Sequence, residues 1–218
     1  MSLDVDVFWS FRSPYSYLAT PRLVRLAAEY DVAVNVRVVL PIAVRIPGFF
    51  ETVNPLWPPY LLRDTMRIAE YERMPYRWPR PDPIVQDFPS RKVAAEQPYI
   101  DRLTRLGVLA AERGFGLPFI TEVSRVIFGG TAGWHEGSHL ADAAKRAGGE
   151  LAEMDRAIAA PGEAARLDAV IAGNQAALEQ AGHWGVPTMV FQGEPFFGQD
   201  RIDLLAWRLR KHGLRERV

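Results

Sequence analysis

Apolar and β-branched residues near the start of the chain predict a strand, a helix and a second strand. The run VDVFWSF, residues 5–11, is short and rich in β-forming residues, and VAVNVRVVL, residues 32–40, alternates well enough for a strand. Between them, Ser13 is a good helix cap and Pro14 suits the first helical position. Apolar residues at helical spacing mark the buried side of this helix: Leu23, Leu26, Ala27 and Tyr30. A strand, helix and strand of these lengths predict a unit with parallel strands.

The middle of the chain predicts helices and no strand. Two proline-dense segments, residues 41–59 and 75–89, predict irregular structure on either side of a helix at 60–73. From about Arg91 to Gly182 the apolar spacing is helical throughout. The helices predicted in this stretch cover residues 98–114, 118–128, 134–147, 151–159 and 162–181.

Strand character returns near the end of the chain. PTMVF, residues 187–191, and EPFFG, residues 194–198, predict a hairpin closed by a tight turn. A last helix is predicted to begin at Asp200, with the aspartate as its cap.

The order of these elements defines the expected fold class. A β-α-β unit and a later β-β-α unit are the two halves of a thioredoxin-like fold, and the helical stretch lies between them. We therefore expect an α/β protein with a thioredoxin-like domain, residues 1–45 and 184–218. The large all-helical insertion is expected to cover residues 46–183.

The composition narrows the classes of function. The 218 residues carry 26 basic and 26 acidic side chains, which argues against a dedicated binder of nucleic acid or of an anionic membrane. The chain has no cysteine, so it has no disulfide, thiolate nucleophile or thiolate metal site of its own. No signal peptide or apolar run of membrane-spanning length is recognisable, so we expect a cytoplasmic protein.

The segment SPYS, residues 13–16, stands where a thioredoxin-type redox protein places Cys-x-x-Cys. A helix N-terminus offers unpaired N–H donors and a partial positive charge, and the Ser13 hydroxyl adds another donor. Such a site would favour the thiolate of a bound thiol, whose reference pKa is about 8.5. The alternative is that Ser13 only caps its helix. Ser16, one turn later, is expected to be a structural or peripheral residue.

A second motif, HEGSH at residues 135–139, matches the H-E-x-x-H pattern of zinc proteases. On a helix, His135 and His139 would share one face and Glu136 would serve as general base. The glycine and serine inside the motif are poor helix formers, and no third ligand is marked. We therefore favour polar residues of the insertion over a metal site.

Two stretches of the chain resemble a known enzyme family. FWSFRSPYSYLA near the N-terminus and WGVPTMVFQGEPFFGQDRIDLL near the C-terminus are similar to the 2-hydroxychromene-2-carboxylate isomerases. These are grouped with the kappa-class glutathione transferases in the DsbA-like branch of the thioredoxin superfamily. The resemblance continues through NPLWPPYLLRDTMR, whereas the remaining helices match only in length and character. It implies a DsbA-like fold and bound glutathione as cofactor.

The resemblance also implies roles for individual residues. Ser13 would be the catalytic residue, placed near the glutathione sulfur. The backbone before a cis-proline would hold the cysteinyl part, and the GQD segment would hold the γ-glutamyl end. The implied cofactor-binding residues are Asn54, Val186, Pro187, Gln199 and Asp200.

One departure from the family concerns the glycyl carboxylate of glutathione. Family members commonly carry a lysine between the asparagine and the following helix, but NPLWPPYLLRD has none. Arg63 or Arg45 is the candidate to replace it. Otherwise glutathione binds weakly, differently or not at all.

These observations lead to an expected function. We expect a glutathione-dependent isomerase in which a thiolate adds reversibly to an unsaturated aromatic keto acid, a bond rotates or a ring opens, and the thiolate leaves. Phe49, Phe50 and Trp57 are candidates to wall its apolar substrate pocket. The alternatives are a kappa-like transferase, which keeps an electrophile on sulfur, and a non-catalytic thioredoxin-like binding protein. The expected partner is a small aromatic or electrophilic molecule, and the resemblance implies a possible homodimer.

Overall fold

A computed structural model of the chain describes residues 3–87 and 90–217. Four strands form one sheet in the order β2-β1-β3-β4. The strands are β1 Leu3–Trp9, β2 Val32–Val38, β3 Thr188–Phe191 and β4 Glu194–Phe197. β1 and β2 are parallel, whereas β3 is antiparallel to both β1 and β4. All four predicted strands are therefore present, and no strand end differs from its predicted position by more than two residues.

Ten α-helices surround the sheet in the described part of the chain. Their bounds are α1 Pro14–Glu29, α2 Ile42–Arg45, α3 Phe49–Thr52, α4 Trp57–Tyr71, α5 Pro98–Glu112, α6 Gly116–Phe128, α7 His139–Arg146, α8 Leu151–Ala159, α9 Glu163–Gln180 and α10 Ile202–Lys211. None of these described helices has the length and apolarity needed to cross a bilayer.

The β-α-β unit forms as the local sequence predicts. Ser13 caps α1 by accepting a hydrogen bond from the backbone N–H of Ser16, and Pro14 is the first helical residue. Of the four residues predicted for the apolar face of this helix, Leu23 and Leu26 are buried, whereas Ala27 and Tyr30 are half-buried. At the other end of the chain, Gln192 and Gly193 both have positive φ. They form the two-residue turn of the β3–β4 hairpin.

Three details of the sequence-based prediction are wrong. The last α-helix does not begin at Asp200, because a single 3₁₀ turn, Gln199–Arg201, precedes it and Arg201 occupies the cap position. The helix predicted from residue 134 begins only at His139, because Gly133 and Gly137 adopt positive φ in the turn before it. The segment 41–59 contains α2, α3 and the start of α4 rather than only irregular structure.

One hydrophobic core joins the sheet to the helices. Val5, Val7 and Trp9 on one face of β1 are fully buried in the main cluster of core residues, which also contains side chains from α5, α6 and α8. Phe8 points to the other face of the sheet and packs with Leu178 of α9. β1 is thus covered on both faces, as expected for a central strand next to a parallel neighbour.

The sheet and the surrounding helices form a thioredoxin-like fold with a helical insertion, as the element order predicted. The assignment of residues 46–183 to a separate insertion domain remains a prediction. α5 and α6 pack directly on β2, and α6 also packs on α1.

Candidate functional site

A cavity of about 1090 Å³ lies at the first turn of α1. Its walls include Phe49, Phe50 and Trp57, which confirms the prediction that these residues line a pocket, together with Trp184. The ring centroids of Phe49 and Trp57 are 5.9 Å apart, and those of Phe49 and Trp184 are 6.3 Å apart. This aromatic wall suits a planar, largely apolar ligand.

Ser13 lines this cavity while it caps α1. Its hydroxyl oxygen accepts a hydrogen bond from the N–H of Ser16 at 3.2 Å, and the hydroxyl donates to the carbonyl oxygen of Val186 at 3.2 Å. A ligand atom beside Ser13 could therefore accept the hydrogen bond of this hydroxyl in place of the Val186 carbonyl oxygen. The capping role and a ligand-binding role are compatible in one side chain.

The segment before β3 faces Ser13 across the cavity. The peptide bond between Val186 and Pro187 is cis, and both residues line the cavity. Within residues 3–87 and 90–217, no protein group accepts a hydrogen bond from the N–H of Val186. This backbone donor is therefore available to a peptide-like ligand, which would pair with it as an added strand does.

Gln199 and Asp200 line the cavity from the 3₁₀ turn before α10. Arg22 of α1 donates a hydrogen bond to the Oε1 atom of Gln199, so the amide nitrogen is the free end of that side chain. Asp200 is exposed and forms an ion pair with Arg201 at 2.7 Å. The turn therefore presents an amide donor and a carboxylate side by side.

Asn54 lies outside the group of residues just described. Its Oδ1 atom accepts a hydrogen bond from the N–H of Leu56 at 3.0 Å, and the residue is exposed. It is not among the described residues that line the cavity, although its neighbour Pro55 is. Its assignment to glutathione binding remains a prediction.

Arg45 reaches the cavity, whereas Arg63 is exposed on α4 and is not among the described lining residues. The Arg45 guanidinium donates to the carbonyl oxygens of Leu40 at 2.8 Å and of Trp184 at 2.7 Å. Burial lowers the pKa of Arg45. In the described part of the chain no carboxylate lies within ion-pair distance of it, and the more distant Glu179 carboxylate only partly offsets the lowering of its pKa. Arg45 is thus a fixed cation with unused hydrogen-bond donors.

A second group of cavity residues was missed from the sequence. Tyr15 of α1 donates a hydrogen bond to Oδ2 of Asp64 on α4 at 2.8 Å, and Tyr60 donates to Oδ1 of the same carboxylate at 3.3 Å. Burial and the neighbouring carboxylate of Asp64 raise the pKa of Tyr15. Tyr15 belongs to the SPYS segment, but no local signal connects it to a residue 49 positions away.

Arg12 is a further cavity residue that the sequence analysis did not predict, and an ion pair with Asp82 neutralises its charge. Its guanidinium forms two hydrogen bonds of 3.1 Å to the carboxylate of Asp82. The same group lies 5.2 Å from the ring centroid of Phe50 and 5.3 Å from that of Trp78. Arg12 therefore braces the aromatic wall through cation–π contacts.

Ser10 gives an independent indication of polar chemistry at this end of β1. It lines the cavity and is fully buried, and its Oγ atom has no hydrogen-bond partner among the described residues. The N–H of Ser13 donates to the Ser10 carbonyl oxygen at 3.1 Å, so the two serines share one tight turn. A buried hydroxyl without a partner is costly. The residues present therefore fit a polar ligand group such as a thiol.

The HEGSH motif does not form a zinc site. Residues 135–138 lie in turns, so His135 and His139 do not share a helix face. The His135 ring instead packs against Tyr99, with centroids 4.7 Å apart. No group of metal-ligating side chains occurs among residues 3–87 and 90–217.

A model of the DSBA-like thioredoxin domain family matches residues 4–210, and the chain therefore belongs to that family. No curated protein matches the sequence.

The structure is similar to several solved structures of low sequence identity. One is a 2-hydroxychromene-2-carboxylate isomerase, with 21% identity, a TM-score of 0.68 and coverage of 96% of this chain and 95% of that one. A probable DsbA oxidoreductase from Streptomyces coelicolor has 18% identity, a TM-score of 0.65 and coverage of 96% and 89%. Cytosolic disulfide reductase DsbM from Pseudomonas aeruginosa, in a structure with GSH, has 18% identity, a TM-score of 0.59 and coverage of 95% and 100%. At these identities the similarity shows the shared fold.

Proposed function

We propose that the protein is a glutathione-dependent isomerase that acts on an unsaturated aromatic keto acid. One observation carries this proposal: in a chain without cysteine, the Ser13 hydroxyl stands at a helix N-terminus in an aromatic cavity, beside a cis-proline. The DsbM structure with GSH supports glutathione as a ligand of this fold. The likeness to the isomerase structure supports the reaction.

Bound glutathione would supply a thiolate that adds reversibly to the substrate and so permits rotation about a former double bond. Ser13 would donate a hydrogen bond from its hydroxyl to the sulfur and so stabilise the thiolate, and the N-terminus of α1 would add its positive partial charge. The backbone of Val186 would pair with the cysteinyl part. Gln199 would donate its amide N–H to the γ-glutamyl carboxylate, and Asp200 would accept from the ammonium group.

Arg45 is our choice for the glycyl carboxylate in place of the missing lysine. It lines the same cavity as Val186. Its guanidinium donates a hydrogen bond to the carbonyl oxygen of Trp184, which precedes Val186 by two residues. A guanidinium without a carboxylate partner in an apolar wall gains most from an anionic ligand.

The first experiment tests the role of Ser13. We expect Ser13→Ala to lower turnover of 2-hydroxychromene-2-carboxylate about 100-fold, as removal of one donor from an anion-stabilising site does. The thiol pKa of bound glutathione, followed by thiolate absorbance in the ultraviolet, should rise in this variant. Ser16→Ala is the matched control, because Ser16 lies on the same helix and its buried Oγ atom has no partner among the described residues.

The outcomes of this experiment separate the alternatives. If wild type binds no glutathione by calorimetry, the isomerase and the transferase both fail, and a non-catalytic binding protein is favoured. If the protein binds glutathione and conjugates chlorodinitrobenzene but does not isomerise the chromene, the kappa-like transferase is correct. Equal turnover by Ser13→Ala and Ser16→Ala would remove Ser13 from the mechanism.

The second experiment tests Arg45. We expect Arg45→Met to raise the dissociation constant for glutathione at least about tenfold, because a hydrogen-bonded charge pair is lost. Arg63→Met, which removes an exposed arginine outside the cavity, should leave this constant unchanged. Equal affinities of the two variants would contradict the assignment.

The proposal also includes a cytoplasmic location and a homodimer. Gel filtration with light scattering tests the homodimer.

A further inference from the structure

Three residues of the cavity have no part in the glutathione site proposed above. Tyr15, Tyr60 and Asp64 all line the cavity, and both phenols donate hydrogen bonds to the one carboxylate. The Asp64 side chain is only 18% exposed, and Arg67 approaches it no closer than 3.5 Å. Asp64 is therefore a largely buried cavity carboxylate that accepts hydrogen bonds from two phenols and forms one long ion pair with Arg67.

The hydrogen bond from Tyr15 to Asp64 determines which ligand groups the Tyr15 hydroxyl can bind. Its proton is directed to Asp64 at 2.8 Å, so its oxygen presents lone pairs to any further partner. Burial and the carboxylate of Asp64 raise the pKa of Tyr15, which keeps the phenol protonated at neutral pH. A ligand group that meets Tyr15 must therefore be a hydrogen-bond donor, and a ligand carboxylate or carbonyl is disfavoured there.

We propose that Tyr15 and Asp64 recognise a hydroxyl group on the aromatic substrate and accept its proton. This inference rests on the proposed function for the identity of the substrate. In the transfer, the ligand O–H bond breaks as a bond forms between that proton and the Tyr15 oxygen. The Tyr15 proton moves to Oδ2 of Asp64, and the electron pair of the broken bond stays on the ligand oxygen.

This chemistry fits a substrate that carries a hydroxyl on a ring carbon, as 2-hydroxychromene-2-carboxylate does. Loss of the hydroxyl proton allows that oxygen to form a carbonyl, while the bond from the same carbon to the ring oxygen breaks. The ring oxygen leaves with that electron pair, and a proton returned from Asp64 through Tyr15 neutralises it. The relay thus ends in its starting protonation state.

Tyr60 serves a different purpose in this arrangement. It donates to Oδ1 of Asp64, one turn away on α4, and so holds the carboxylate with Oδ2 toward Tyr15. Tyr60 is a positioning residue, whereas Tyr15 is the group that touches the substrate.

The turnover experiment compares Tyr15→Phe, Asp64→Asn and Tyr71→Phe with wild type. Asn at position 64 still accepts the Tyr15 hydrogen bond but cannot take up a proton, so it separates the relay from a purely structural link between α1 and α4. We expect both relay variants to lower kcat about 100-fold with little change in KM or in glutathione affinity. Tyr71 is 83% exposed on α4, and its Phe variant is the matched control that should behave as wild type.

A binding experiment tests hydroxyl recognition without glutathione. Wild type should bind naphthol roughly tenfold more tightly than the methyl ether of naphthol, the difference expected for one hydrogen bond. Tyr15→Phe should remove this preference, and Tyr71→Phe should keep it. If wild type fails to bind glutathione but shows the naphthol preference, the proposed function is wrong and the hydroxyl site stands. Equal affinity of wild type for the two ligands, or undiminished kcat in Asp64→Asn, would overturn the relay.

Discussion

Arg22 fixes the orientation of a residue that we place in the glutathione site. Its guanidinium donates to Oε1 of Gln199, so the amide N–H groups are left for the cavity. Without Arg22 the amide can rotate and present its oxygen to an anionic ligand group. Arg22 is itself not among the described residues that line the cavity. It therefore acts through Gln199 and is a positioning residue.

We expect Arg22→Ala to raise the dissociation constant for glutathione by about threefold to tenfold, the range of one weakened hydrogen bond. Calorimetry measures this constant. Arg25→Ala is the control, because Arg25 is an exposed arginine of the same helix. Arg22→Lys retains a donor and should restore part of the affinity. A constant for Arg22→Ala equal to that of Arg25→Ala would show that the orientation of Gln199 has no effect on binding.

His183 makes the segment before β3 sensitive to pH. Its Nδ1 atom accepts a hydrogen bond from the N–H of Gly185 at 2.8 Å, and its ring stacks on Phe197 with centroids 3.9 Å apart. Burial lowers the pKa of His183 in the folded protein. A protonated Nδ1 cannot accept this bond, so acid breaks a contact next to the cis-proline.

The sign of the pH effect follows from that lowered pKa. The stability that neutral His183 contributes is complete above its unfolded pKa of about 6.5, and it is lost as the pH falls toward the folded value. The free energy of unfolding of wild type relative to His183→Gln should therefore be constant well above about pH 6.5 and fall as the pH is lowered below that value. Urea denaturation measures it, with His139→Gln at the exposed start of α7 as control. A difference that is constant with pH would contradict this account.

The residues of the site differ in how far a sequence can reveal them. Ser13 and Pro14 follow local rules of helix capping, so the start of α1 was predicted correctly from four letters. The pairing of Tyr15 with Asp64, and of Arg22 with Gln199, joins residues 49 and 177 positions apart. Such contacts arise only when helices pack, and no periodicity or composition marks them in advance.

At the scale of elements, α5 lies against the sheet through Gly107. A Cβ atom at this position would come within 2.8 Å of the Phe11 ring and 3.0 Å of a Val38 methyl group. Both of these side chains are fully buried and have little room to move. The close approach of α5 to the sheet therefore requires glycine at position 107, because glycine has no side chain.

Gly107→Ala sets two effects against each other. Alanine favours a helix interior over glycine by about 1 kcal/mol, whereas overpacking a core costs about 1–3 kcal/mol. Because the clash is with rigid core groups, we expect a net loss of about 1 kcal/mol in the free energy of unfolding. Gly173→Ala in α9, where a Cβ atom meets nothing within 4 Å, should instead stabilise the protein. Urea titrations of both variants measure the two opposite changes in the free energy of unfolding. Stabilisation by Gly107→Ala would show that the Phe11 and Val38 side chains move to accommodate the added methyl group.

Element prediction succeeded where one local signal dominated and failed where short-range signals competed. The bounds of α8 were predicted without error, because regular apolar spacing continues between clear ends. The four-residue helices α2 and α3 lie in a proline-rich segment and were missed. Helices of one turn have no periodicity to detect, and packing rather than propensity stabilises them.

At the scale of the whole molecule, most described core residues of the two predicted domains belong to one cluster. Buried residues of β1, β2 and β3 belong to the same cluster as residues of α5, α6, α7 and α8. The sequence indicates where helices replace strands, but it does not indicate whether the helical layer has a core of its own. That property depends on which faces meet, and here α5 and α6 meet the sheet directly.

A shared core predicts that the chain unfolds as one cooperative unit, although it contains an insertion of 138 residues by the predicted boundaries of 46–183. Far-UV circular dichroism reports mainly the helices of this stretch, and hydrogen exchange of peptides from β1 and β3 reports the sheet. Both should give the same free energy of unfolding, because opening the helical layer exposes fully buried groups such as Trp9 and Phe11. Gly107→Ala should lower both values equally, since it acts at the contact between the two parts. Two separated transitions, with only the helical one shifted by this variant, would instead establish residues 46–183 as an independent domain.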